Sequence, residues 1–373
     1  MVAAYTWHPG TGRVVSRWPV PVAMAPDELL STWLVRVALS QGTDPLVLAS
    51  HLWPRWRVWT IDFDRGISDE RISRLARDSG IEAGKLSMAS LLPIASAIGL
   101  ESGAASAIWH WILALGSRNR KRHGGLQYCS LCLATDAQPY FRLQWRLAWH
   151  TCCAVHHVGL RDRCCHCQLP IEPNRLCAFD TMSTCSTCKR DLRQGVMLPA
   201  SKAALAFQER ADRVVITGSG SYGVHQLQVK EWFHLARYFL MLLRCAARRQ
   251  ISCLGKCLAG LVPGSCYLRP PITGLGFEML PTSERSSFLE SVGVLMQAGP
   301  EQLRSAAVAN SLKDTSLRQG WRSLPPCIDD IVREMPQLMR SRNARKNSDP
   351  APVSRQTVLY KWARLQRKMR RIS

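Results

Sequence analysis

In the first third of the chain, apolar residues recur at the three-to-four-residue spacing of one face of an α-helix. The pattern predicts an amphipathic helix with Arg36 on its polar side and an end at Gly42, followed by a second helix that Thr43 can cap. Two short helices joined by a tight turn have the form of a helix-turn-helix, although such pairs are also common in helical bundles. The apolar positions are Leu29, Leu30, Trp33, Leu34, Val37 and Ala38, then Leu46, Val47, Leu48 and Leu52.

A second pair of helices is predicted in the same part of the chain. Ser68 can cap a helix from Asp69 to Ser79, Gly80 ends it, and a further helix covers Ile81 to Ala89. Helical spacing returns in the second half of the chain. The helices predicted there cover His225 to Arg249, Ser283 to Gln297, Glu301 to Asn310 and Ile328 to Met335.

Two longer apolar stretches, Ala104 to Leu115 and Leu235 to Ala247, are shorter than the roughly 20 residues that a bilayer-spanning helix needs. The second stretch also contains Arg237 and Arg244. We therefore interpret both as buried helices and expect no membrane partner.

Shifts in composition divide the 373 residues into four segments. We expect a mainly α protein with a helix-turn-helix-like N-terminal domain over residues 1–125 and a double zinc-ribbon region over residues 126–195. A C-terminal helical domain follows over residues 196–340, and a basic tail with a closing helix over residues 341–373.

Cysteine is concentrated in the second segment, where ten of the fifteen cysteines lie between Cys129 and Cys188. A Cys-x2-Cys turn places two thiolates at adjacent corners of a tetrahedral zinc site with Zn–S bonds of about 2.3 Å. Four such pairs, one of them Cys-x2-His, predict two structural Zn²⁺ ions with no open position for a hydrolytic water. The predicted ligands are Cys129, Cys132, Cys153, His156, Cys164, Cys167, Cys185 and Cys188.

The assignment of these ligands leaves alternatives open. Pairing in chain order gives one site from the first four ligands and another from the last four, but interleaved pairing is equally compatible with the sequence. Cys152, His157, Cys165 and His166 lie beside or between predicted ligands and are candidates for alternative ligation. The two-residue spacer favours Cys153 with His156 over these neighbours.

The chain carries 49 Lys and Arg against 27 Asp and Glu, a formal net charge of +22. This excess favours DNA or RNA as a partner over an anionic membrane, with solubility as the plainer explanation. Arg142 and Arg146, four residues apart, are predicted on one helix face, and for both a salt-bridge role and a phosphate contact are open. The candidate nucleic-acid contacts are Arg118, Arg120, Lys121, Arg122, Arg142, Arg146, Lys361, Arg364, Arg367, Lys368, Arg370 and Arg371.

Several motifs around the first cysteine pair carry a specific resemblance. The segment 128–133, Tyr-Cys-Ser-Leu-Cys-Leu, is followed by Pro-Tyr-Phe-Arg at 139–142 and Trp-Arg-Leu-Ala-Trp at 145–149. Together with Pro19, Pro21 and the segment from Asp27 to Leu34, they resemble the TniQ family of transposon targeting proteins over about residues 18–190. Ser130, Ala154 and Cys165 stand where that family usually has proline, and His157 where it usually has glycine.

The resemblance implies a targeting adaptor without catalytic activity. Such an adaptor links a target-recognition complex, in some members an RNA-guided CRISPR effector, to an AAA+ ATPase and a transposase. A TnsD-like sequence-specific DNA-binding selector and a zinc-ribbon transcription regulator are the alternatives. Guide RNA or DNA is expected as a further partner, and a homodimer is left open. The absence of a secretory pattern at the N-terminus predicts a cytoplasmic protein, and the resemblance implies a bacterial one that acts at the nucleoid.

The sequence also argues against an enzyme. A nucleotide-binding GxxxxGK[ST] loop is absent, because the two Gly-Lys pairs, at Lys85 and Lys256, are followed by Leu86 and Cys257. Adjacent acids such as Asp329 and Asp330 are predicted on helices, where neighbouring side chains point apart and do not share a metal. ATP hydrolysis and DNA cleavage are therefore expected of other proteins.

Overall fold

A computed structural model of the 373-residue chain describes residues 17–100, 109–115, 126–249, 252–265, 268, 275–319, 321, 323–335, 358, 359 and 362. The described residues up to Met335 belong to one compact unit, and the last three belong to a second. The predicted boundaries at residues 125 and 195 fall inside the first unit and stay predictions. Val358, Leu359 and Trp362 are helical, within the predicted closing helix.

The protein is mainly α, as predicted. No helix in the described ranges is both long and apolar enough to cross a bilayer. In chain order the helices are α1 Leu30–Ser40, α2 Pro45–Leu52, α3 Asp69–Ser79, α4 Ala83–Met88, α5 Leu92–Ala97, α6 Ser130–Thr135, α7 Lys202–Thr217, α8 Val229–Arg248, α9 Cys253–Leu261, α10 Thr282–Ala309, α11 Asp314–Arg318 and α12 Pro326–Arg333.

Both predicted N-terminal helix pairs are present. Asp44, rather than Thr43, precedes α2, and α3 ends at Gly80, whose φ of +73° is the left-handed conformation that glycine adopts without a Cβ clash. The residues buried between these helices form one apolar cluster, which includes Trp33, Leu52 and Leu75. Whether either pair reads DNA stays a prediction.

Helix α1 is buried around most of its circumference, so it is not the amphipathic helix that was predicted. Its Val35 packs in the larger apolar cluster of the metal-binding and C-terminal regions, while Trp33 and Leu34 pack in the N-terminal cluster. The expectation that Arg36 lies on a polar face is wrong, because the side chain is buried and its Nη2 lies 2.6 Å from the Glu28 carboxylate. A carboxylate placed just before the helix makes this burial tolerable.

The C-terminal helices pack around α8 and α10. An antiparallel hairpin, β1 Ser219–Tyr222 with β2 His225–Gln228, joins α7 to α8. The predicted helix at His225 to Arg249 therefore begins only at Val229. Helix α10 spans both helices predicted over Ser283 to Gln297 and Glu301 to Asn310. It is interrupted between them, because Gly299 has φ +79° and Pro300 follows it.

Two further predictions of helix are corrected. Residues 109–115 are not helical, and Ile112 instead forms a bridge with Leu147. The rest of the predicted helix at Ala104 to Leu115 lies outside the described residues. Arg142 and Arg146 do not share a helix face, because only a 3-10 turn, Leu143–Arg146, forms there.

A buried ion-pair network joins the N-terminal helices to the region that follows them. Arg146 is fully buried, with Nη1 2.7 Å from Asp64 and Nη2 2.6 Å from Asp62. The same guanidinium donates to the Leu113 carbonyl, and Asp64 accepts hydrogen bonds from the backbone and hydroxyl of Ser31. Burial raises the pKa of Asp64 to about 6, a rise that Arg146 and Ser31 oppose.

Replacing Arg146 tests this network. Arg146→Met should lower the free energy of unfolding by about 3–5 kcal/mol, because Asp64 is left buried without a counter-charge. Urea unfolding in metal-containing buffer measures the loss, and adding Asp64→Asn should restore part of it. Arg333→Met, at an exposed ion pair with Asp329, should change stability by less than about 1 kcal/mol. Equal losses from the two single variants would contradict the assignment.

Candidate metal centres

Three of the four predicted ligand pairs adopt the same hairpin. In each, the residue after the second ligand is left-handed and donates its backbone N–H to the carbonyl of the first ligand. The φ angles are +51° at His157, +59° at Gln168 and +60° at Lys189, and the three hydrogen bonds span 2.9 to 3.0 Å. A non-glycine residue in this conformation costs about 1–2 kcal/mol, so a further interaction must hold each turn.

The first pair is built differently. Cys129 precedes α6, and Cys132 lies in the first turn of that helix. Both side chains are buried, and they face the hairpin that carries Cys153 and His156. The first centre thus combines a helix N-terminal turn with a hairpin, which the Cys-x2-Cys spacing alone does not distinguish.

The first four predicted ligands meet at one point. The Cys132 and Cys153 sulfurs lie 3.5 Å apart, and His156 Nδ1 lies 3.2 Å from Cys132 Sγ and 3.6 Å from Cys153 Sγ. A disulfide needs about 2.05 Å between sulfurs, whereas zinc with tetrahedral bonds of about 2.3 Å to sulfur and 2.05 Å to nitrogen separates its ligand atoms by roughly 3.6–3.8 Å. The arrangement fits a metal ion.

The last four predicted ligands form a second cluster of the same kind. Cys164 Sγ lies 3.7 Å from Cys188 Sγ, and Cys167 Sγ lies 3.8 Å from Cys185 Sγ. In both clusters, all four ligand atoms lie within 4.8 Å of one another. The groups are therefore those of chain-order pairing, and the interleaved alternative does not match the geometry.

Electrostatics also favour a cation in these clusters. Hydrogen bonds to Cys129 and Cys153 raise the pKa of Cys132, while hydrogen bonds from Cys129 and Cys132 lower that of Cys153. Without a cation, one thiolate is thus stabilised by neighbours that keep their protons. The backbone N–H of His156 also points at Cys153 Sγ, 3.4 Å away. A bound divalent ion removes the mutual repulsion and lets all the thiols ionise.

The residues named as alternative ligands lie outside both clusters. Cys152 is buried, with its Sγ near the Ser201 carbonyl, and His157 is exposed. Cys165 and His166 instead line an open pocket with Arg161. Four protein ligands at each centre leave no coordination position for water, so the centres suit a structural metal.

The predicted nucleic-acid contacts divide into two groups. Arg142 and Arg146 are buried, Arg142 in ion pairs with Asp136 and Asp27, and this geometry favours the salt-bridge role that the sequence left open. The others lie outside the described residues: Arg118, Arg120, Lys121, Arg122, Lys361, Arg364, Arg367, Lys368, Arg370 and Arg371.

The aromatic side chains between the first two ligand pairs mostly pack in the core. Phe141, Trp145 and Trp149 are no more than 1 % exposed, and the Tyr140 hydroxyl donates to Asp27. The sequence did not single out His150 and Asp212, although His150 Nε2 lies 2.8 Å from the Asp212 carboxylate, which also accepts from Trp149 Nε1. No local spacing signals this pair, because 62 residues separate its members.

The fold and its two clusters define a mainly helical protein with paired four-ligand metal-binding centres. The TniQ family model matches residues 19–160, which run from the N-terminal helices through the whole first cluster. These residues therefore form a TniQ domain, which implies target selection in transposition. No curated protein matches the chain.

Substituting neighbouring cysteines tests the ligand assignment. Cys153→Ser should reduce the metal content by one ion per chain, because it removes one of four ligands at the first centre. Cys152→Ser is the matched control, since its sulfur lies outside the cluster, and should keep the full content. Metal analysis of the purified proteins measures both. Loss of an ion from Cys152→Ser with full content in Cys153→Ser would reverse the assignment.

Proposed function

We propose that the protein selects the insertion target of a transposon as an adaptor without catalytic activity, linking a target-recognition complex to an AAA+ ATPase and its transposase. The TniQ domain carries this proposal. The recognition complex is proposed to be an RNA-guided CRISPR effector. Nucleic acid, the ATPase and the effector are the proposed partners.

Two structural Zn²⁺ ions are part of the proposal. Zinc is favoured because it takes tetrahedral sets of thiolates and imidazole, and the ligand-atom separations match such sets. The metal would have a structural role only, which is to hold the hairpins at His157, Gln168 and Lys189 in their left-handed turns. Binding free energy of this kind contributes to folding, so each centre would fix the surfaces around it.

The main alternative is a TnsD-like protein that binds a defined DNA sequence itself. The helix pairs α1–α2 and α3–α4 favour this alternative, because short helices joined by tight turns occur in DNA-reading motifs. The proposals differ in where sequence specificity resides. In the adaptor it resides in the recognition complex.

Reconstituted transposition tests the adaptor function. Donor DNA, target plasmid, recognition complex, ATPase and transposase should give insertion at the selected site only when the protein is added. Cys153→Ser should lower site-selected insertion at least about tenfold, because loss of a structural metal unfolds its surroundings, while Cys152→Ser should act as wild type. Site-selected insertion that persists without the protein would refute the proposal.

A footprint on the target DNA separates the two candidates. The adaptor should bind target and scrambled duplexes equally, with an affinity that falls steeply with salt. Protection of a defined sequence by the protein alone would establish the TnsD-like alternative in its place. Specific binding is typically about 10³–10⁷-fold tighter than non-specific binding, so the two outcomes are well separated.

A further inference from the structure

Six arginines lie on and beside α3, on the N-terminal part of the compact unit. Arg17 reaches the C-terminal end of the helix, since its backbone N–H donates to the Asp78 carbonyl at 2.9 Å. The loop after α2 approaches the other end of the helix through Trp56. We call this set the arginine ridge, and its members are Arg17, Arg55, Arg57, Arg71, Arg74 and Arg77.

One member of the ridge is held in place by stacking. The Arg71 guanidinium lies over the Trp56 ring, with Cζ 3.8 Å from the ring centroid. Trp56 is fixed in turn by edge contact with Trp53 and by Phe63, which is buried. A stacked guanidinium keeps its N–H edges free for a planar acceptor, and less side-chain freedom remains to be lost on binding.

The helix spaces three of the arginines regularly. Arg71, Arg74 and Arg77 follow one another at three-residue intervals, which is a rise of about 4.5 Å per step. Ile72 and Leu75 bury the opposite face in the N-terminal core. The three arginines are therefore mounted on a rigid helix.

The charge of the ridge is largely uncompensated. Within the described part of the chain, only Arg74 has a carboxylate partner, Asp78 at 2.7 Å. Helix α3 itself carries as many acids as arginines, three of each, so the excess of positive charge comes from Arg17, Arg55 and Arg57 beside it. Arginines elsewhere in the unit, such as Arg36, Arg142 and Arg146, are buried and paired with acids.

We propose that the arginine ridge binds the phosphodiester backbone of a nucleic acid. Arginine presents planar donor edges that suit phosphate, and all six cations of the ridge are arginine. An acidic protein partner is less well matched, because protein interfaces usually have an apolar core, and the one aromatic ring on the ridge is covered by Arg71. This inference adds a nucleic-acid contact site to the proposed function, and its biological role rests on that function.

Binding measurements with a matched pair of variants test the inference. The ridge variant carries Arg55→Gln, Arg57→Gln, Arg71→Gln and Arg77→Gln. The control loses the same charge at four other exposed arginines, through Arg190→Gln, Arg213→Gln, Arg248→Gln and Arg249→Gln. Fluorescence anisotropy is recorded across a salt series for two probes. One is a 20-base-pair DNA, about two helical turns long, and the other is a single-stranded RNA.

For the bound class of nucleic acid, the ridge variant should bind at least about tenfold more weakly than the control. Its plot of log affinity against log salt should be less steep by about 3.6 for duplex DNA or about 2.8 for a single strand, the values for four lost phosphate contacts. Loss with one probe only identifies DNA or RNA as the source of the phosphates. Equal losses in the two variants would overturn the inference, since net charge alone would then explain binding.

Crosslinking provides a readout that does not depend on the stability of the arginine variants. A photoreactive residue at exposed Ser73, between Arg71 and Arg74, should crosslink to the bound probe, and the same residue at exposed Thr217 should not. The site would be refuted if the protein with the photoreactive residue at Ser73 bound the probe with wild-type affinity but formed no crosslink. It would also be refuted if the ridge variant bound both probes normally but failed to bind the ATPase. These assays contain no transposase, so they can fail while target selection still holds.

Discussion

The buried contact between Arg146 and the carboxylates of Asp62 and Asp64 is the constraint on which the N-terminal half of the protein depends. A fully buried guanidinium is tolerated only where acids and carbonyls satisfy it. Here the acids come from the loop before α3 and the arginine from the segment between two ligand pairs. Helix α1 joins the same network through Ser31. The family match over residues 19–160 covers every part of this network.

The metal centres and the ion-pair network act on the same segment. The chain between Cys132 and Cys153 has its ends in the first cluster and carries Arg142, Arg146 and the buried Trp145 and Trp149. Few hydrogen bonds of regular secondary structure stabilise this segment, because beyond the end of α6 its one helical element is a 3-10 turn. A metal ion held by the first cluster would fix the two ends of the segment, and the buried ion pairs of Arg142 and Arg146 hold its middle.

Local signals in the sequence predicted much of this arrangement. The two-residue spacer identified the eight residues that meet in two clusters, and Gly80 marked the end of α3, where it adopts positive φ. Signals that depend on distant partners were not available. Burial of Arg36 and Arg146 requires carboxylates brought close by the fold, and the hairpin before α8 replaces a helical start because Gly223, at φ +58°, allows a two-residue turn against Pro300.

The distribution of arginine explains how one strongly basic chain can fold and still present a charged surface. Several buried arginines have carboxylates within ion-pair distance, as Arg142 has Asp136 and Arg237 has Glu278, so their charge is neutralised where desolvation would be most expensive. Within the described residues, buried Arg285 and Arg244 instead donate to backbone carbonyl oxygens and have no carboxylate partner. The acids used in this way are no longer available at the surface. The excess of cations therefore appears outside the core, and in the arginine ridge part of it is ordered by a helix and an aromatic ring. Plain solubility requires no such order, whereas recognition of a regularly charged polymer does.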